Sequence, residues 1–244
     1  VSCNAKGVYD LSVKVLDIGT KYSQRKRVND IAQSFLRRLS LKFNETTTLG
    51  AIEGTDLIYL EKVESSEMLR FAPKKEQRIT AHHTALGKSI LAHLPELELE
   101  KYCRNVSWHA ITAKTITSKE SLLPKLAQIR KQGYAICDEE YCIGVRSIAR
   151  VILDKSNYPQ YSIGIWGPVE RMAPNLLRKM QADLTVTSRE ISTYLNTQAS
   201  IPGMHPAGAA PIQPTAKVDP VKRIRRGRDE PEKGFLRRAA ALFL

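Results

Sequence analysis

The sequence predicts an α+β fold, an antiparallel sheet flanked by helices, and three observations carry that expectation. Two pairs of β-rich segments, 46–52 with 57–63 and 146–153 with 161–166, are each closed by a short turn-forming stretch. Apolar residues recur at helical spacing on both sides of this β-rich region, around residues 28–39 and 177–195. The chain has 244 residues, 42% of them hydrophobic, which is enough for a buried core and against wholesale disorder.

Taken in order, Gly7-Val8-Tyr9-Asp10-Leu11 reads as the closing strand of a hairpin whose start is missing. A helical stretch with Val15, Leu16 and Ile18 follows. Val28, Ile31, Ala32, Phe35, Leu36 and Leu39 then obey the i, i+3, i+4, i+7 rule of an amphipathic helix, entered through Arg25-Lys26-Arg27. Residues 46–52 and 57–63 form a hairpin about Glu53-Gly54-Thr55-Asp56, and Met68-Leu69-Arg70-Phe71 is expected as a third strand stopped by Pro73. Thr84 caps a helix over 85–92, and Pro95 opens the next. Thr117 and Glu120 have capping-box spacing before a helix presenting Leu122, Leu126 and Ile129, which Gly133 ends. Pro124 is tolerable only near the first turns of that helix. After the second strand pair, Pro174 opens a long helix with the stripe Leu177, Met180, Leu184, Ile191 and Leu195. Five prolines between 200 and 220 and the Arg-rich run 222–238 then have the composition of a disordered tail.

The net charge of +13 makes nucleic acid an obvious candidate partner, but its distribution narrows that inference. Residues 1–42 hold nine Lys/Arg against three Asp/Glu, and residues 200–244 hold nine against four. The stretch 43–199 holds twenty against eighteen and is nearly neutral. A neutral sensing or catalytic body with basic ends fits this profile. The Arg-rich tail can meet phosphates, yet it lacks the interleaved aromatics that stack bases. No run of about 18 apolar residues is present and no signal peptide opens the chain, so no membrane span and a cytoplasmic location are expected. Cys3, Cys103, Cys137 and Cys142 form no CxxC pair and read as reduced thiols.

Three constellations are candidates for chemistry. In Ala81-His82-His83-Thr84-Ala85-Leu86-Gly87-Lys88 no glycine lies five residues before Gly87, so a phosphate loop is not expected. Adjacent histidines point apart on most backbones, which suits a structural or pocket-wall role better than metal ligation. Cys137-Asp138-Glu139-Glu140-Tyr141-Cys142 reads as a charged loop after a strand. A hydrolase using Cys137, Cys142, His82 and Glu140, by thiol or by metal, is the rival reading, though the spacing matches no known zinc pattern. In Ser162-Ile163-Gly164-Ile165-Trp166, strand alternation puts Ser162, Gly164 and Trp166 on one face. A glycine beside a tryptophan leaves space that the indole or a ligand fills, and both readings stand.

Four stretches in order resemble the isocitrate-lyase-regulator (IclR) family of bacterial transcription factors: 7–11 with its following helix, LIYLEKVES (57–65), HHTALGKSILA (82–92), and the run 115–149 with its Gly-Tyr and E-E-Y-x-x-G-V-R segments. The resemblance covers residues 7 to 197. It implies an N-terminal winged helix-turn-helix followed by an effector-binding domain of GAF/PAS-like fold. Here most of the winged domain is expected to be missing, with 1–10 the end of its wing, 11–24 a linker helix, 25–197 the effector-binding domain and 198–244 the disordered tail. The resemblance further implies a small-molecule effector, DNA contact through the missing domain, a homodimer or homotetramer, and no enzymatic activity, metal or cofactor. The family's pocket places His82, His83, Cys137, Glu140, Ser147, Gly164 and Trp166 at the effector. Cys137 stands where the family often has Asp, and Ser147 where it often has Cys. Gly164 and Trp166 replace small hydroxyl residues, so a sugar or sugar acid stacked on Trp166 is the expected ligand. The helix over 28–39 and the sheet edges are the expected contacts between subunits.

Overall fold

The computed structural model describes residues 2–3, 9–10 and 14–198, with side chains from 28 to 197. The described residues belong to the first of two units, Val1–His205. The second, 206–244, lies outside the described residues, as do the expected tail from 199 onward and the side chains of Arg25, Lys26 and Arg27.

Two short strands come first, β1 (Ser2–Cys3) and β2 (Tyr9–Asp10), paired antiparallel. The hairpin expected to lack its start therefore has one, in Ser2 and Cys3. Helix α1 (Lys14–Phe43) then runs unbroken for 30 residues, so the expected boundary between linker helix and effector domain at 24/25 falls inside a continuous helix. Strands β3 (Thr46–Glu53) and β4 (Asp56–Val63) form the anticipated hairpin.

The third strand is not where the sequence suggested. Met68 and Leu69 are 97% and 71% exposed in an irregular stretch, and β5 is Arg78–Thr80, paired to β4. An apolar run makes a strand only where a neighbouring edge takes up its backbone groups, and β4 offers that edge to residues 78–80.

A single 3-10 turn, Ala81–His83, leads into α2 (Ala85–Leu91), which Thr84 caps by accepting from the Gly87 N–H at 2.9 Å. Helix α3 (Glu96–Asn105) follows Pro95, and α4 (Lys119–Gln132) is capped by Ser118, one residue after the expected Thr117. Gly133 ends α4 at φ 81°, a left-handed C-terminal stop that glycine takes without strain. Strands β6 (Ala135–Asp138), β7 (Val145–Leu153) and β8 (Pro159–Pro168) and helix α5 (Pro174–Gln198) complete the domain.

The sheet is wholly antiparallel in the order β5-β4-β3-β8-β7-β6. Strand alternation sends its side chains to two cores. On one face Leu49, Ile58, Ile148, Ile163 and Ile165 meet Val28, Ala32, Leu36 and Leu39 of α1 and Met180, Leu184 and Ile191 of α5. The apolar stripe of residues 28–39, expected at a subunit contact, is thus spent on the domain's own core: Ala32 and Leu36 are fully buried. On the other face Leu57, Tyr59, Cys137, Ala149 and Trp166 meet α2, α3 and α4. Because β3 and β8 are central, residues from four distant sequence stretches are drawn to the middle of this second face.

Candidate functional site

The site is built on one row across the sheet. Cys137 of β6 pairs with Ser147 of β7, Ser147 with Trp166 of β8, and Trp166 with Thr46 of β3. Three of the seven expected site residues are therefore lateral neighbours, with side chains on the face covered by α2. The indole N–H of Trp166 donates to Thr48 Oγ1 at 3.0 Å. Its ring is 1% exposed and carries Phe71 stacked on it, centroids 4.5 Å apart and planes 14° apart. Phe71 thus occupies one stacking face of the indole on which a sugar was expected.

Gly164 sits one row away, and its space is filled by a third party. An added Cβ there would lie 2.6 Å from Leu86 Cδ1, so this glycine lets α2 press against the sheet. Neither the indole nor an open ligand space is beside it.

Glu140 and Lys88 form a buried ion pair, the lysine side chain fully enclosed and the glutamate 9% exposed. Lys88 belongs to a helix buried at every residue, Ala85 to Leu91. A cation in such a place needs a carboxylate, and the loop after β6 supplies it. Lys88 is consequently committed, and the charge it offers to a ligand is largely neutralised.

The buried Tyr59 and Ser147 hydroxyls have no hydrogen-bond partner within the protein, and His82 Nε2 and the ring nitrogens of His83 make no hydrogen bond of good geometry, the backbone of Ile116 and of His109 being their nearest polar company. Such groups cost free energy unless something pairs with them, so a cluster of them marks a place where a ligand's polar atoms would be welcome. Burial pushes the Tyr59 phenol well above its ordinary range, with the nearby Cys137 and Tyr141 adding to the effect. It is a neutral O–H. The ring of Tyr59 meets Trp166 edge-on at 6.1 Å.

The two histidines do not point apart. The 3-10 turn brings their rings into an edge contact at 4.2 Å. His82 packs on Trp108 and His83 on His109. Tyr102 Oη accepts from the His82 backbone N–H at 3.0 Å and lies 2.7 Å from His82 Nδ1. The phenol has one proton to give, and when it donates that proton to Nδ1 the neutral ring carries its own on Nε2. Burial lowers His82 to about 3, helped by His83, and lowers His83 to about 4, helped by His109. Both rings are neutral near pH 7.

The sign of the resulting pH dependence follows directly. A histidine whose folded value lies below its unfolded value of about 6.5 stabilises the fold fully above pH 6.5 and loses that contribution as pH falls. The expected slope is roughly 1.4 kcal/mol per ring for each pH unit below about 6. Urea unfolding at pH 7.0, 6.0 and 5.5 checks this. His82→Asn, whose amide oxygen still accepts from Tyr102, should flatten the slope, and an unchanged slope would count against the assignment.

The remaining expectations divide cleanly. The Cys137 thiol donates to the His83 carbonyl at 3.2 Å, not to an imidazole, and burial pushes it up to about 11. Cys142 is exposed, its thiol on the Ile143 carbonyl. A cysteine nucleophile needs a thiolate and a base within reach, and this arrangement has neither. Among the described residues no three His, Cys, Asp or Glu side chains come together as a metal site. Tyr59, Phe71, Thr48, Lys88 and Tyr102 belong to the site without having been singled out. Lys88 carried a signal, a lone lysine inside an apolar helix; the others depend on strand register.

This geometry defines a class: a helix-covered sheet holding neutral, unpaired hydrogen-bonding groups in its core, the plan of a ligand-sensing domain. The profile "Bacterial transcriptional regulator IclR C-terminal" matches residues 20–193. The HTH-type transcriptional regulator KdgR of Escherichia coli is 32% identical over 187 residues, 77% of this chain and 71% of that one. The HTH-type transcriptional regulator BhcR of Paracoccus denitrificans is 32% identical over 71% of this chain and 62% of its own length. Among solved structures, Thermotoga maritima IclR superimposes with a TM-score of 0.68 at 30% identity, covering 79% of this chain and 78% of that one. The C-terminal domain of Escherichia coli KdgR gives 0.63 at 31%, covering 70% of this chain and 98% of that domain. The chain belongs to the IclR family of transcriptional regulators and contains its effector-binding domain, a regulatory rather than an enzymatic module. IclR-family regulators bind DNA and small-molecule effectors. No helix among the described residues is long and apolar enough to cross a membrane.

Proposed function

We propose that this domain senses a small, oxygen-rich metabolite, a sugar or sugar acid, held by the hydroxyls of Tyr59 and Ser147 and the imidazole nitrogens of His82 and His83. The carrying observation is that the buried Tyr59 and Ser147 hydroxyls lack partners within the protein, beside imidazoles that make no well-formed hydrogen bond at Nε2 of His82 or on the His83 ring. Cys137, Glu140 and Trp166 shape the walls, while Gly164 serves helix packing. Phe71 covers the indole, so the ligand meets its polar groups rather than the aromatic face. Residues 25–197 make up this domain, and DNA is contacted through a winged helix-turn-helix to which α1 leads. A metabolite bound better in one arrangement of subunits shifts the population between arrangements and so changes operator affinity, in the cytoplasm. The assembly is a homodimer or homotetramer. With residues 28–39 committed to the core, exposed Val186 and Tyr194 of α5 are better candidate contacts.

The test is a metabolite panel read by tryptophan fluorescence, with sedimentation velocity on the same samples. Tyr59→Phe and Ser147→Ala each delete a buried hydroxyl that has no partner in the unliganded protein. They should leave the melting temperature unchanged or raised while weakening the effector about tenfold each. A monomer at micromolar concentration, no fluorescent response to any metabolite, or an unaltered response in both variants overturns the reading.

A further inference from the structure

Away from the site just described, α5 and the far end of β7 enclose a groove of about 470 Å³. Arg150 and Arg189 both line it, the first from the sheet and the second from the helix, together with His93 and Asn157. Arg150 Nη1 donates to the Gly133 carbonyl at 2.7 Å, which caps the C-terminus of α4 and occupies one of its five donors. Among the described residues no carboxylate pairs with either guanidinium. The one carboxylate of the lining, Asp154, is spent on its own turn: it accepts from the backbone N–H groups of Ser156 at 2.8 Å and Tyr158 at 2.9 Å, and from Gln160 Nε2 at 3.2 Å.

Two guanidiniums sharing a groove repel one another. Arg150 is held below its ordinary range by burial, with Arg189 adding to the effect. His93 is lowered by burial, and the charges of Arg130 and Arg150 act in the same direction. Its Nδ1 is engaged by the Ser89 carbonyl at 2.9 Å. The lining therefore holds two guanidiniums against one carboxylate and is net positive, with one arginine on the sheet and one on α5.

We propose that this groove is a second binding site, separate from the effector site, for a small oxyanion carrying two or more negative charges on phosphoryl or carboxylate groups. The anion bridges Arg150 and Arg189 and so ties α5 to the sheet. Planar guanidinium forks suit both kinds of oxyanion, and the groove is roomy enough for a metabolite of several carbons.

Inorganic phosphate and citrate, titrated separately into the full chain at constant ionic strength with chloride as the balancing ion, test this. Saturable binding of either, with the His93 ring titration followed by NMR moving upward, is the expected result. Phosphate alone identifies a phosphoryl site and citrate alone a carboxylate site. Arg189→Gln, an exposed position, should weaken binding about tenfold, the usual effect of losing one charge-assisted hydrogen bond. Arg178→Gln, exposed on the same helix and outside the lining, should leave it unchanged, and so should Tyr59→Phe and Ser147→Ala. Absence of saturable binding, or an equal loss in Arg178→Gln, overturns the proposal without touching the effector reading.

Discussion

Glu140→Ala is expected to destabilise the domain by about 3–5 kcal/mol, the range seen when one partner of a buried ion pair is removed. Lys88 is fully enclosed in α2, between the sheet and the loop after β6, and Glu140 is its ion-pair partner there. The cost arises from the stranded ammonium, not from the missing attraction. Replacing both partners, Lys88→Met with Glu140→Leu, should therefore recover most of the loss, because desolvation of two charges no longer opposes folding. Denaturant unfolding of the two single variants and the double variant measures this as a cycle. A Glu140→Ala loss below 1 kcal/mol, or a double variant no better than either single one, would show that the pair is solvated and the loop open.

Gly87→Ala should be comparably damaging, at roughly 3 kcal/mol or more, at the upper end of what overpacking costs. A Cβ at this position would lie 2.0 Å from the Ala81 carbonyl oxygen and 2.6 Å from its carbon. Both are backbone atoms of the 3-10 turn that carries His82 and His83. They cannot swing aside as a side chain can. The same carbonyl accepts from the Thr84 N–H at 3.1 Å, and Thr84 in turn caps α2, so any retreat loosens the cap as well. Gly164→Ala offers the contrast: its Cβ would meet the movable end of Leu86 at 2.6 Å, and a smaller loss is expected. Thermal unfolding of both variants decides the point, and an equal or reversed ranking would mean that α2 floats above the sheet.

Much of the architecture is legible in single segments. The helical period over 28–39, the turn 53–56 between two β-branched runs, the threonine before 85–91 and the glycine after 132 each state a local preference that the fold honours. The failures share one cause. Met68-Leu69-Arg70-Phe71 has strand composition but no edge to join, and its Phe71 turns instead onto Trp166. The stripe 28–39 is as apolar as a subunit contact requires, yet its partner is the domain's own sheet. Capping chemistry at 117 and 118 differs by a single residue, below what spacing resolves.

The charge profile, the helix and strand periods and the four ordered motifs identify the kind of domain without coordinates, because they are properties of neighbouring residues. The site is another matter. Cys137, Ser147, Trp166 and Thr46 are adjacent only through antiparallel register, and Lys88 meets Glu140 only because α2 lies across β6 and β7. Whether a glycine faces a ligand or a leucine, and whether an indole is open or covered, depends on which element packs above it. Those are long-range contacts whose energies come from burial and pairing between distant segments, and one strand's pattern contains no record of its partner.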